Sequence, residues 1–434
     1  MKGKKKTHKK WVILVVVLLL AVFLVFFAMR RKNISQNSIP ETESRTLVCG
    51  VNEARPTHCV SGNGMLYGKN HSICYMDLTT KTEYVLCDEI NCTHLTSKCS
   101  SHYSDDMNGL ALYQGNVYLF DLNDDGSAFE FIRMDTAGNH RKALVKISVG
   151  NFDVGEWFLL SVSQVYYCGD YAWAELTYDY TKENGATQQQ TQCIRISLET
   201  GEIAELTPLQ DIGVTYSYGG ISDQRVLLEK MWKDAEKKKT MYAHYACDAE
   251  KLDLSLLEEY EGIAVYNEDG TLKGCFPKYV FEGWYQDGFL FHEMNWELQN
   301  TENNADLWLW DTKNNVKTPV CMVEHGTAIM FGEGTIGNYV YDGENILFAI
   351  YKESGMIDIA NVHLPTGEIT PLFEDAMNVT FRIVGQTEDS FIGKIYDFER
   401  GTSTIIEVYE VKKEDYYQGN FDDMELLQTI HGLW

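Results

Sequence analysis

The chain has 434 residues and a formal net charge of −26, with nine of its 37 Lys plus Arg and none of its 63 Asp plus Glu in residues 1–32, so the rest carries 28 bases against 63 acids, or −35. A body this acidic excludes a nucleic-acid partner, because that affinity comes largely from Lys and Arg neutralising phosphates. Hydrophobic residues at 44% and aromatics at 12% exclude wholesale disorder, and 7 Pro with 34 Gly exclude collagen-like and low-complexity chains.

Lys2, Lys4, Lys5, Lys6, Lys9 and Lys10 precede an unbroken apolar run from Trp11 to Met29, and Arg30, Arg31 and Lys32 follow it. Nineteen residues of helix reach about 28 Å, which matches a hydrocarbon core of about 30 Å. Trp11 suits the headgroup level, and the excess of lysines before the span orients the amino terminus to the cytoplasm. A cleaved signal peptide is the weaker reading. The run ends in Phe26-Phe27-Ala28-Met29-Arg30, with no small-x-small site, and no cysteine precedes Cys49. The sequence therefore predicts a cytoplasmic basic tail over 1–10, a transmembrane signal anchor over 11–29, a polar stalk over 30–45 and an extracytoplasmic domain over 46–434.

That domain reads as one repeat array. The clearest copy runs Asn345-Ile346-Leu347-Phe348-Ala349-Ile350-Tyr351, a turn, Ile357 to Leu364, then Pro365-Thr366-Gly367-Glu368 and Ile369 to Phe373. Such strand–turn–strand units ending in an Asp-x-Thr-Gly-Glu-like turn recur from Met65 and Ile73, Asn116 and Phe129, Asp170 and Cys193, Arg225 and Ile263, Asp287 and Leu307, and Ser390 and Ile405. Seven copies at a spacing of roughly 45 to 65 residues suit four-stranded propeller blades, because radial stacking covers both faces of each small sheet. The prediction is an all-β, seven-bladed β-propeller, with six or eight blades as neighbouring counts and a stacked pair of sandwiches as runner-up. To close the ring, either Thr46-Leu47-Val48 or Met424 to Leu427 is expected to complete a shared blade. The segment Leu254 to Tyr260 is the best candidate for a helix, of one or two turns, and Lys233 to Lys239 reads as a solvated hairpin tip.

The densest constellation is Cys87-x4-Cys92-x-His94-x4-Cys99. Three thiols and an imidazole within thirteen residues suit a tetrahedral metal such as zinc. The spacing is that of neither a zinc finger nor a ribbon. A disulfide-tied or reduced structural loop is the favoured reading for an extracytoplasmic segment, although an odd cysteine then needs Cys59 or Cys49, or stays free. Asp121-x-Asn123-x-Asp125-Gly126 matches the first half of a calcium loop, but Ile132 stands where the bidentate Glu belongs, and a polar hairpin turn explains the segment.

A strand ending in Val85-Leu86-Cys87, followed by Cys92, His94 and Cys99, resembles the Leu-Cys-x4-Cys-x-His-x4-Cys signature of a group of surface-anchored β-propeller proteins of anaerobic Gram-positive bacteria. Ile90 stands where that group usually has proline. The resemblance implies a propeller ectodomain and brings no activity with it.

Catalytic templates fail: the chain has no Gly-x-Ser-x-Gly elbow and no phosphate-binding Gly-x4-Gly-Lys loop, and His292-Glu293 stops short of a zincin pair. The leading expectation is a membrane-anchored binding or scaffolding module for a protein, peptide or glycan, without catalytic residues or a required cofactor. The alternative is a polysaccharide-acting hydrolase or lyase using acidic residues in the propeller funnel.

Overall fold

Asn108–Tyr113 reads NGLALY and is buried throughout. A strand without a solvent face needs cover on both sides. The architecture supplies that cover repeatedly. The computed structural model describes residues 47–49 and 58–431, apart from 88, 90, 91, 95, 97, 151–154, 210–212, 223, 237, 268, 294–303, 329–342, 355, 356, 375–380 and 398–404. Seven antiparallel sheets follow one another, six of four strands and one with an added fifth: blade 1 over 58–85, blade 2 over 108–148, blade 3 over 157–205, blade 4 over 214–261, blade 5 over 279–323, blade 6 over 326–373 and blade 7 over 382–431. The protein is a seven-bladed β-propeller. Within each blade the strands lie in chain order, and the first strands of blades 1 and 2, 2 and 3, 4 and 5, and 7 and 1 touch. Fourth strands lie outermost, and Thr82–Val85 and Lys142–Ser148 are accordingly among the exposed ones.

Each seam between blades is an apolar layer. One core cluster joins blades 1, 2 and 3, and others fill the seams from blade 3 to blade 4 and onward to blade 7. The ring shuts where Val60, Met65 and Tyr67 of blade 1 pack on Val384, Ile392 and Val408 of blade 7. Gly385 permits this approach, since a Cβ there would stand 2.4 Å from Val60. Lys81 adds an ion pair to Glu410 across the same seam.

The repeated turn has a structural reason. Asp77, Asp135, Asp248 and Asp311 each accept backbone N–H groups two or more residues on, which folds the turn between third and fourth strands. That turn docks on the preceding blade. Gly201 has φ +76°, and a Cβ there would lie 2.3 Å from the Leu144 carbonyl oxygen of blade 2. Arg133, Arg195 and Arg225 donate from one blade to carbonyls of the next blade's turn, at Leu198, Ala249 and Thr312.

Three expectations are corrected. No blade is shared: Glu425–His431 is simply the outer strand of blade 7, and Leu47–Cys49 pairs antiparallel with the inner edge of Trp157–Cys168 as a fifth strand of blade 3. Packing and the Lys81 bridge close the ring instead. The segment around Leu254 to Tyr260 is the strand Ser255–Glu261, because the exposed edge of Lys239–Asp248 offers it a ladder that outweighs its helix-forming leucines and glutamates. The blade 4 copy also pairs differently. Arg225–Asp234 pairs with Lys239–Asp248, whereas Ile263–Tyr266 forms a separate hairpin with Leu272–Phe276. Lys233 to Lys239 does lie at a hairpin tip. Among the described residues no helix is long and apolar enough to cross a membrane, and the anchor expected over 11–29 lies outside them.

Candidate functional site

The Cys/His segment lies in the connection from blade 1 to blade 2. The ligand atoms of Cys87, Cys92, His94 and Cys99 all lie within 4.8 Å of one another. His94 Nδ1 is 3.3 Å from Cys99 Sγ, and the Ser101 hydroxyl is 3.0 Å from the same sulfur. The three thiols are not joined by disulfides. Cys99 is buried and the other three are half-buried. Burial opposes ionisation of Cys99, but hydrogen bonds from Ser101, His94 and Cys87 outweigh it and bring the thiol down to about 6. At Cys92 the His94 backbone N–H favours the thiolate, yet desolvation and donation to Cys99 and Cys87 prevail and lift it to about 11.

The surrounding chain fixes this loop from both blades. The Ile73 N–H donates to Ser101 O at 2.8 Å, and the Leu86 N–H donates to Ile73 O at 2.9 Å. The Ser72 hydroxyl donates to His94 O at 3.2 Å. From blade 2, the Arg141 guanidinium donates to Ser100 O and His102 O, each at 2.7 Å. Gly138 presses on the loop so closely that a Cβ would stand 2.0 Å from Leu86 O and 2.9 Å from Cys87 N. His94 has φ +58°, an uncommon backbone for a non-glycine residue, which these contacts hold in place.

The calcium-like residues are engaged within the protein. Asp121 Oδ1 accepts the Ser104 N–H and hydroxyl, and its Oδ2 lies 3.4 Å from Arg141. Asn123 and Asp125 accept the Ser127 N–H and so fold the hairpin turn.

A second feature escaped the sequence reading. The first three strands of blade 3 are 12, 11 and 11 residues long, and Arg225–Asp234 and Lys239–Asp248 of blade 4 are 10 each. Among the described residues, the corresponding strands of the other blades have 3 to 8 residues. The extra length lies at one end of the two blades, where Trp157 pairs with Tyr180 and Val214 with Trp232. There the Trp157 and Tyr180 rings meet at 5.0 Å, tilted by 49°, and Lys230 lies 5.1 Å from the Trp232 ring centroid and 5.5 Å from that of Tyr216. Leu160 and Met231 are exposed at 43% and 37%. Only strand length signals this projection, and strand ends are where sequence patterns are weakest.

Buried polar groups were also missed. Glu175 accepts the Tyr218 N–H at 2.7 Å across the seam from blade 3 to blade 4, and burial pushes its carboxyl up to about 7. Glu282 lies 2.7 Å from His292 inside blade 5. His244 lies 3.1 Å from Glu229 and is ringed by Tyr260, Tyr279, Phe281 and Trp310 at 5.1 to 5.5 Å.

No family model and no curated protein matches the chain. Among solved structures it is similar to the β-propeller domain of the trilobed protease from Pyrococcus furiosus, described as having an open velcro topology. That match has 11% identity and a TM-score of 0.43, and covers 89% of this chain and 97% of that one. It is similar to TolB from Acinetobacter baumannii at 13% identity and TM-score 0.30, covering 88% and 79%. It is also similar to oligopeptidase B from Leishmania major at 10% identity and TM-score 0.43, covering 88% of this chain and 50% of that one. Likenesses this distant bear on no function.

Proposed function

We propose that the chain is a membrane-anchored, extracytoplasmic propeller that acts as a binding or scaffolding module for a protein, peptide or glycan. One observation carries this reading: the long-stranded ends of blades 3 and 4 carry the exposed Leu160 and Met231 together with the half-buried rings of Trp157, Tyr180 and Trp232, beside Lys230. Aromatic and Met side chains are enriched in the cores of interfaces, because they bury much area at low conformational cost. The rigid, seam-packed ring holds them in place before binding, which reduces the ordering cost of recognition. The apolar run Trp11 to Met29 supplies the anchor in this reading, and the lysines before it keep the amino terminus inside.

Two measurements test the two halves of the proposal. Protease added to intact cells expressing the chain removes the propeller if the topology is right; full protection contradicts it. Binding of the full chain is measured against a displayed peptide library and a panel of soluble glycans. Replacing Trp157 and Trp232 by Ala then weakens the best binder by about 30-fold or more, near 2 kcal/mol, measured at a temperature where circular dichroism shows the variant still folded. Equal affinity in that double variant would contradict the reading.

A further inference from the structure

We propose that Cys87, Cys92, His94 and Cys99 form a closed, tetrahedral, structural zinc site that fastens blade 1 to blade 2. Three sulfurs and one imidazole nitrogen converge within 4.8 Å, with no bond between the sulfurs. In a tetrahedral site with Zn–S of about 2.3 Å and Zn–N of about 2.05 Å, neighbouring ligand atoms stand about 3.6 to 3.8 Å apart. The 3.3 Å between His94 Nδ1 and Cys99 Sγ already approximates one such edge. A contraction of about 1 Å in the widest pair completes the set.

The donor chemistry selects the ion. Thiolate and imidazole favour zinc, whereas calcium and magnesium require oxygen ligands. Four protein ligands leave no open position for water or substrate, so the site is structural and not catalytic. Three thiolates around a dication retain one negative charge, and the Arg141 guanidinium, bound to Ser100 O and His102 O, stands beside it. The Ser101 hydroxyl at 3.0 Å from Cys99 Sγ provides an outer hydrogen bond of the kind that orients metal ligands.

The location gives the site its purpose. Residues 86–107 cross from the outer edge of blade 1 to the inner strand of blade 2 and contain no described strand longer than the isolated Ser72–His102 bridge. Among the described residues, blade 1 shares no strand with another blade. A metal between residues 87 and 99 ties the two ends of this connection together and, through Arg141 and Gly138, fastens it to blade 2. Disulfide pairing among the same three cysteines would leave His94 without a function and one thiol over.

The test uses the full chain purified without added metal. The expected result is one zinc per chain, with no alkylation of the three thiols until chelator is added. Replacing zinc by cobalt(II) gives the intense visible bands of tetrahedral thiolate coordination. Chelator and the His94→Ala and Cys92→Ala variants each abolish metal binding and lower the melting temperature by a similar amount, while Cys321→Ser retains the metal. If the variants fail to fold, zinc content and cobalt spectra of the unaltered chain still decide. A disulfide among Cys87, Cys92 and Cys99, zinc well below one per chain, or octahedral cobalt spectra would overturn the proposal.

Discussion

Replacing Glu175 by Gln should make the protein more stable at high pH and leave it nearly unchanged at low pH. Glu175 is buried between blades 3 and 4, and burial raises its carboxyl from 4.5 to about 7, against the opposing donations from Tyr218 N–H and Ser163. Below pH 4.5 the folded and unfolded chains both carry the proton, and there is no penalty. Between 4.5 and about 7 the unfolded chain releases the proton while the folded chain keeps it, so stability falls as pH rises. Above about 7 the buried carboxylate is ionised and the loss is complete. A displacement of that size corresponds to ~3 kcal/mol. Glutamine keeps the oxygen that accepts the Tyr218 N–H at 2.7 Å but has no proton to release. Urea unfolding of both proteins from pH 4 to 8.5 gives the difference as a function of pH. It should be near zero at the acid end and rise to ~3 kcal/mol in favour of the variant above pH 7.5. A flat difference, or a variant weaker than the parent at pH 8.5, would show that Glu175 does not titrate as its burial requires.

The seams make two further predictions. Gly201→Ala should cost ~3 kcal/mol, because left-handed backbone and a 2.3 Å approach to Leu144 O act together. Gly185→Ala, with φ +77° and nothing within 4 Å, should cost only ~1 kcal/mol by the same melting assay. Arg195 donates to Ala249 O and lies 4.0 Å from the Tyr171 ring centroid. Arg195→Ala should therefore cost ~2 kcal/mol in denaturant unfolding, with lysine recovering only part of it.

Much of the ring was legible because the signal sits in the middle strands. Asn116–Leu122 and Ala128–Asp135 are buried on both faces, so their apolar character stands out in sequence, and the Asp/Thr/Gly turn after the third strand repeats because it docks on the neighbouring blade. Inner strands were obscure. Asn108–Tyr113, Val214–Ile221, Tyr279–Tyr285 and Arg382–Gln386 each carry a register shift, which breaks strict alternation. Outer strands such as Ser255–Glu261 are exposed and charged, and one passed for a helix. The cysteine cluster was visible as spacing, whereas its convergence depends on Ser72, Arg141 and Gly138, which are distant from it in sequence. The projecting end of blades 3 and 4 depends on relative strand length, a property of the assembled ring.

The claim that this end is the recognition surface is tested most directly by hydrogen exchange of the full chain with and without the tightest ligand from the peptide and glycan panel. The account predicts new protection in peptides covering 157–161, 178–190 and 230–241, with the other blades unchanged. Protection confined to blades 1, 6 or 7, with those three segments unaffected, would contradict it.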